Sequence, residues 1–205
     1  IAYQNFELLD VVRYLITASL TLSFTCVILF VFGSTNLNDH YLAYHDGLTG
    51  TFNRRKMDED LQAVSSNRAS ENAVIAILDI DNFKRCNDEY GHEFGDDILK
   101  RFASYLTFRM PSDCSFYRMG GEEFAAVLPG VSPTEAQAIA ERVRSAVEQQ
   151  APDPVEGGPQ RATVSIGLVH SATMGSDADM DTLLLAADAA LYRAKAEGRN
   201  RVMVG

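Results

Sequence analysis

The sequence predicts a mixed α/β (α+β) domain, one mixed sheet flanked by helices, behind an apolar N-terminal segment. Three observations carry this. Short apolar runs such as Ala73 to Leu78 and Ala162 to Val169 alternate with longer stretches of helical periodicity. Adjacent glycines, Gly120 and Gly121, lie between strand-like runs and predict a tight hairpin of type I′, which needs positive φ at both central residues. Finally, Tyr14 to Phe32 contains no charged residue, proline or glycine.

That last segment admits two readings. As a helix, its nineteen residues span about 28 Å, close to a bilayer's hydrocarbon core of ~30 Å. Its last six residues are apolar all round, unlike the face of a surface helix. As a strand, Leu20 to Cys26 alternates apolar and hydroxyl-bearing residues. The lack of a turn signal before Gly33 favours the transmembrane helix, and no small-residue cleavage site follows, which argues against a secretory signal. Residues 1–13 read as the juxtamembrane end of an upstream region, 14–32 as the span, 33–45 as a polar linker and 46–205 as the main folded domain. The chain opens on Ile1 rather than Met, which points to a piece of a longer protein.

Behind the linker, Asp46 to Gly50 punctuates the chain, and Asn53 caps a helix through Met57 and Leu61. After the strand at 73–80, Phe83 to Tyr90 reads as a short helix broken by Gly91. A longer one from about Gly95 to Phe108 presents Ile98, Leu99, Phe102, Tyr105 and Leu106 on one face. The hairpin occupies Ser115 to Leu128. Ser132 and Pro133 open a helix with Ala136, Ile139, Ala140, Val143 and Val147 on its apolar face. Pro152 to Gln160 reads as a loop, 162–169 as a strand, 181–197 as a helix stopped by Gly198, and Arg201 to Val204 as the last strand.

Charge and cysteines narrow the function. The net charge is −10, of which −2 falls in the first 45 residues. So acidic a surface argues against a nucleic-acid backbone as partner, since that needs clustered Lys and Arg. A mononucleotide is compatible, because a cation and a few placed basic residues neutralise its phosphates locally. Cys26, Cys86 and Cys114 show no paired spacing and no zinc pattern, as expected of free thiols in a cytoplasmic domain. Asp79 ends a buried strand in acid, while Glu122 and Glu123 follow the glycines at a hairpin tip. Brought side by side, these hard oxygen ligands, with Lys84 nearby, suit a divalent cation holding a nucleoside triphosphate; the competing reading is a solvated hairpin. By position alone, Asn87 reads as a helix-end or turn residue, Asp96 as an N-cap ahead of Ile98, and Arg118 as an ion-pair former as readily as a substrate contact.

Six motifs in order then resemble one family. They are Asp46-x-Leu48-Thr49-Gly50-x-x-Asn53-Arg54-Arg55, Asp79-Ile80-Asp81-x-Phe83-Lys84-x-x-Asn87-Asp88 and Gly91-His92-x-x-Gly95-Asp96. Gly120-Gly121-Glu122-Glu123-Phe124, Ser165-Ile166-Gly167 and Asp188-x-Ala190-Leu191-Tyr192-x-x-Lys195-x-x-Gly198-Arg199-Asn200 complete the series. Each is weak alone, but from Asp46 to Val204 the chain resembles a GGDEF domain, the catalytic domain of diguanylate cyclases.

The resemblance implies a five-stranded mixed sheet of the nucleotidyl-cyclase type. It also implies condensation of two GTP into cyclic di-GMP with release of two pyrophosphates, by a homodimer using Mg2+ (or Mn2+). Asp79, the Ile80 carbonyl and Glu122 would ligate the metal. Glu122 would accept a proton with Glu123 beside it, and Lys84 would stabilise developing charge. Amides around Asn82 and Phe83, together with Lys195 and Arg199 one helical turn apart, would receive phosphates. Asn87 and Asp96 would read guanine, with His92 as a nearby substrate contact. A membrane-tethered enzyme at the inner membrane follows, or alternatively a GTP-binding module without activity. One departure stands out. Where many relatives carry Arg-x-x-Asp, a product-inhibition site, this chain has Pro111, Ser112, Asp113 and Cys114, so that inhibition is expected to be lost or weak.

Overall fold

The computed structural model describes residues 2–65, 73–109, 113–150, 162–174 and 180–205. The chain forms two compact units, Ile1–Ala43 and Tyr44–Gly205. The loop expected over Pro152 to Gln160 lies outside the described residues.

The first unit is helical. Helix α1 runs from Ala2 to Tyr44 without a break. The favoured helical reading of residues 14–32 holds over the competing strand at 20–26, and one expectation is corrected: residues 33–39 continue the helix rather than forming a linker with turns. The hydroxyl groups that suggested a strand are satisfied within the helix. Thr17, Thr21 and Thr25 each donate to the carbonyl four residues earlier, at 3.0, 3.0 and 2.7 Å. Beyond Phe32 no proline removes a donor, and the low helix propensity of Gly33 and its polar neighbours does not suffice to end it. Leu8–Phe30, 23 residues with mean hydropathy 1.7 and no part buried, is long and apolar enough to cross a membrane.

The second unit is a six-stranded mixed sheet in the order β1-β3-β4-β2-β5-β6. Its strands are β1 (Phe52–Asn53), β2 (Ala73–Ile80), β3 (Ser115–Gly120), β4 (Glu123–Pro129), β5 (Val164–His170) and β6 (Val202–Val204). The sixth strand, beyond the five expected, is the two-residue β1, which pairs parallel with β3 through Phe52 and Asn53. The helices are α2 (Arg54–Ser65), α3 (Phe83–Tyr90), α4 (His92–Arg109), α5 (Pro133–Gln150) and α6 (Met180–Ala196). Helix α4 starts three residues before the expected Gly95, so Asp96 sits inside it and is not its cap. Asn53 does cap α2, its Oδ1 accepting from the Lys56 amide at 3.0 Å.

Strand β2 is central and buried along its whole length, which explains its uninterrupted apolar run. Its alternation divides the core in two. Val74, Ala76, Leu78 and Ile80 pack with Leu99 and Phe102 of α4 and Ile139 and Val143 of α5. Ile75 and Ile77 pack with Met57 and Leu61 of α2 and Leu183, Ala187 and Leu191 of α6. Asp79 continues this second series and therefore faces α6.

The hairpin departs from its expected geometry. Arg118 pairs with Phe124 and Gly120 with Glu123, so Met119 is an extra residue in a bulge. The bulge moves the two-residue turn onto Gly121 and Glu122. Gly121 has φ 53°, but Glu122 is not among the positive-φ residues, so no type I′ turn forms. Glu122 thus lies in the turn, outside the alternation that would have sent it and Glu123 to opposite faces.

Candidate active site

The last residues of β2 meet the hairpin tip in register. Asp79 stands directly across from Glu123, and the Ile80 amide donates to the Glu122 carbonyl at 3.4 Å. Like charges directly opposite on one sheet face repel, and Asp79 is also 5% exposed. Burial pushes its carboxyl above the usual range. The Lys195 hydrogen bond and charge pull it down, while Glu122 and Glu123 push it up again. Lys195, on the last turn of α6, supplies the compensating cation, with Nζ 2.7 Å from Asp79 Oδ2. The structure thus brings Asp79, Glu122, Glu123 and Lys195 together.

The turn is held from beneath by Arg118. Its Nε and Nη2 donate to the Gly121 carbonyl at 3.1 and 2.8 Å, and its Nη1 to Asp46 Oδ1 at 3.0 Å. Asp46 Oδ1 also accepts from the Thr49 amide and hydroxyl. Of the two sequence readings of Arg118, the ion pair is the one formed. Asp81 forms a second support. Its carboxylate accepts from Thr163 Oγ1 and Ser165 Oγ, both at 2.7 Å, and from the Asn200 amide at 3.0 Å. It joins the end of β2 to β5 and to the segment after α6.

Asn82 occupies the N-cap position of α3 in the left-handed region, φ 57° and ψ 25°, without a capping bond from its side chain, and Phe83 behind it is buried. Asn87, on α3, has a buried Oδ1 with no hydrogen-bond partner among the described residues. Beside it in α4 lie buried Gly95 and half-buried Asp96. The exposed side chains of Lys84, His92 and Arg199 make no hydrogen bond or ion pair with the described residues. Arg199 is not one helical turn from Lys195. Helix α6 ends at Ala196, and Arg199 has φ 63°, its amide closing back on the Ala194 carbonyl at 2.9 Å. Pro111 and Ser112 lie outside the described residues. Cys114 is half-buried, its thiol pushed up to about 11 by burial and then by Asp113.

The family model described as diguanylate cyclase, GGDEF domain, matches residues 43–201. The chain belongs to the GGDEF family. It is 37% identical over 164 residues to the probable diguanylate cyclase DgcT of Escherichia coli K12, covering 80% of this chain and 36% of that protein. The chain spans about a third to a half of the length of such curated relatives. Among solved structures, the coiled coil and GGDEF domain of DgcB from Caulobacter crescentus, in complex with c-di-GMP, matches with TM-score 0.80. Its identity is 28%, over 90% of this chain and 97% of that one. The active GGEEF domain of a diguanylate cyclase from Vibrio cholerae matches with TM-score 0.65 and 32% identity, over 74% of this chain and 96% of that one.

The residues of this GGDEF domain fit a divalent cation. Asp79 is a buried carboxylate facing two more, and hard oxygen donors suit such an ion. Among the described residues no three His, Cys, Asp or Glu side chains stand together as a closed metal cage.

Sequence reasoning passed over Asp81 and Gly95 as functional supports, although both lie within quoted motifs. The signal for Asp81 was available: an acid two residues beyond Asp79, where β2 ends and its charge has to be met by other segments.

Proposed function

We propose that the chain is the output domain of an active diguanylate cyclase, tethered to the inner membrane through residues 14–32, with the second unit in the cytoplasm. The observation that carries this reading is the convergence of Asp79, Glu122 and Glu123, with all three carboxylates present and one buried. A domain kept only for binding GTP has no need to maintain a repulsive carboxylate pair across two strands.

In this reading Asp79, the Ile80 carbonyl and Glu122 hold the cation, Mg2+ or Mn2+. When bound, it supplies charge neutralisation at the reacting α-phosphate. Lys195 leaves Asp79 for the triphosphate, and Lys84, exposed on the first turn of α3, meets the phosphate charge that develops in an in-line displacement. Amides at Asn82 and Phe83 receive phosphate oxygens, with Arg199 as a further contact. The Glu122 carboxylate takes the proton of the attacking 3′-hydroxyl, with Glu123 beside it. Guanine offers N–H donors along the edge that Asn87 Oδ1 and the Asp96 carboxylate can accept, and His92 lies near the base. Because one domain offers one such set, the second GTP comes from an identical domain across a two-fold axis. The replaced residues at 111–114 leave product inhibition weak or absent.

Incubating the protein with GTP and Mg2+ and looking for cyclic di-GMP by mass spectrometry tests the proposal. Product formation is expected. GTP binding without product would favour a regulatory module instead.

A further inference from the structure

Gly95 is the fourth residue of α4 and buried, yet its backbone is helical and does not require glycine. Glycine inside a helix costs about 1 kcal/mol relative to alanine, so its presence here calls for a reason in packing. A Cβ built at Gly95 would overlap Asn87 Oδ1, stand 2.9 Å from Asn87 Cγ and stand 3.1 Å from Phe83 Cζ. The missing methyl is the space that the Asn87 amide occupies, and Phe83 walls it. Among the described residues the same Oδ1, which is buried, has no hydrogen-bond partner, although a buried acceptor is normally satisfied. With no donor among the described residues, an amide oxygen held in such a notch is left for a donor that a ligand brings.

From this we infer that Gly95 is a specificity-determining positioning residue. The notch above it fixes the Asn87 amide so that Oδ1 accepts from an N–H of guanine's exocyclic amino group. Gly95 acts only through Asn87, and the inference rests on the proposed reading of Asn87 as a base contact. Any side chain at position 95 turns the amide out of its notch. The obstruction is the end of a flexible side chain, so the fold tolerates the change while recognition does not. Guanine carries an exocyclic amino donor that hypoxanthine lacks, so the discriminating measure is the preference between these bases.

The test uses four forms of the full chain: wild type, Asn87→Ala, Gly95→Ala and the double variant. Each is titrated calorimetrically with 3′-deoxy-GTP and with 3′-deoxy-ITP in Mg2+, since neither has the hydroxyl needed for condensation. Thermal unfolding is followed alongside. Gly95→Ala is expected to melt at or above the wild-type temperature, to bind 3′-deoxy-GTP about tenfold more weakly and to lose most of its preference over 3′-deoxy-ITP. In the Asn87→Ala background the same substitution should change nothing further. If Asn87→Ala is impaired but Gly95→Ala discriminates like wild type, the inference fails and the base reading stands. Additive losses in the double variant, or unfolding of Gly95→Ala alone, would equally overturn it. If Asn87→Ala binds and discriminates like wild type, the base reading itself falls and takes the inference with it.

Discussion

Lys195 Nζ lies 2.7 Å from Asp79 Oδ2, so a lysine on the last turn of α6 is the counter-ion of the acid that ends β2. The pair couples the stability of α6's C-terminal turn to the charge state of the site.

Lys195→Met should therefore destabilise the metal-free protein. Breaking a fully buried pair costs about 3–5 kcal/mol. Lys195 is a third exposed, which reduces the expectation to roughly 1–2 kcal/mol. Mg2+ should restore more stability to the variant than to wild type, because a cation then answers Asp79. Calorimetric scans with and without Mg2+ check this; equal shifts in the two proteins would contradict it.

Glu122→Gln removes a charge in a turn whose backbone contact, the 3.4 Å bond from the Ile80 amide, survives. Cyclic di-GMP formation should fall by at least about 100-fold with an unchanged circular dichroism spectrum. Near-normal turnover would remove Glu122 from both its metal and proton roles.

Asp46 provides a pH signature. Burial raises its pKa, but hydrogen bonds from Thr49 and Arg118 outweigh this and leave the carboxyl below its ordinary value of 3.8. A lowered folded-state pKa contributes stability above the unfolded value, and that contribution is lost as pH falls through the folded one. Asp46→Asn should thus cost about 1 kcal/mol at pH 7, and the deficit should shrink below pH 3.8. Urea titrations at neutral and acid pH provide the comparison. A gap of constant size would mean that the carboxylate's charge is irrelevant to the clamp on Gly121.

Gly167 contrasts with Gly95. A Cβ there would overlap the Ala187 carbonyl and the Leu191 amide and stand 2.8 Å from Leu191 Cα. These are backbone atoms of α6 and cannot swing away. Gly167→Ala should destabilise the domain by about 3 kcal/mol or more, the upper range for an overpacked core. Denaturant unfolding is the measurement, and a loss below about 1 kcal/mol would show that α6 can retreat from β5.

The assembly prediction concerns rate against concentration. If each domain holds one GTP, specific activity of residues 46–205 should rise with protein concentration, and forced dimerisation should rescue it when dilute. Constant specific activity down to monomeric concentrations would assign both bonds to a single chain.

Much of the fold was legible because its signals are local. The all-buried β2, the Asn53 cap, the break at Gly91 and the apolar face of α5 each follow from spacing within a dozen residues. What escaped depends on partners distant in the chain or on one extra residue. The Met119 bulge moved the hairpin turn by one position, and no propensity marks it. Continuity of α1 past Gly33 came from uninterrupted backbone hydrogen bonding in a stretch with poor helix formers. The site acids were readable as chemistry, but Lys195 as the partner of Asp79 was not, because 116 positions separate them. The helical spacing of Arg199 from Lys195 was misjudged for a local reason: the helix ends before reaching Arg199.

The hairpin tip also has a consequence for handedness. Gly120 has φ 147° and Gly121 φ 53°, and at neither would a Cβ meet any atom within 4 Å. An alanine there fails for want of a suitable torsion rather than for want of room. Mirror-image residues favour these torsions. A semisynthetic protein with D-alanine at position 121 should therefore keep the tip and its two acids in place, while the L-alanine version, identical in composition, should not. The site is thus sensitive to chirality at a position whose side chain touches nothing.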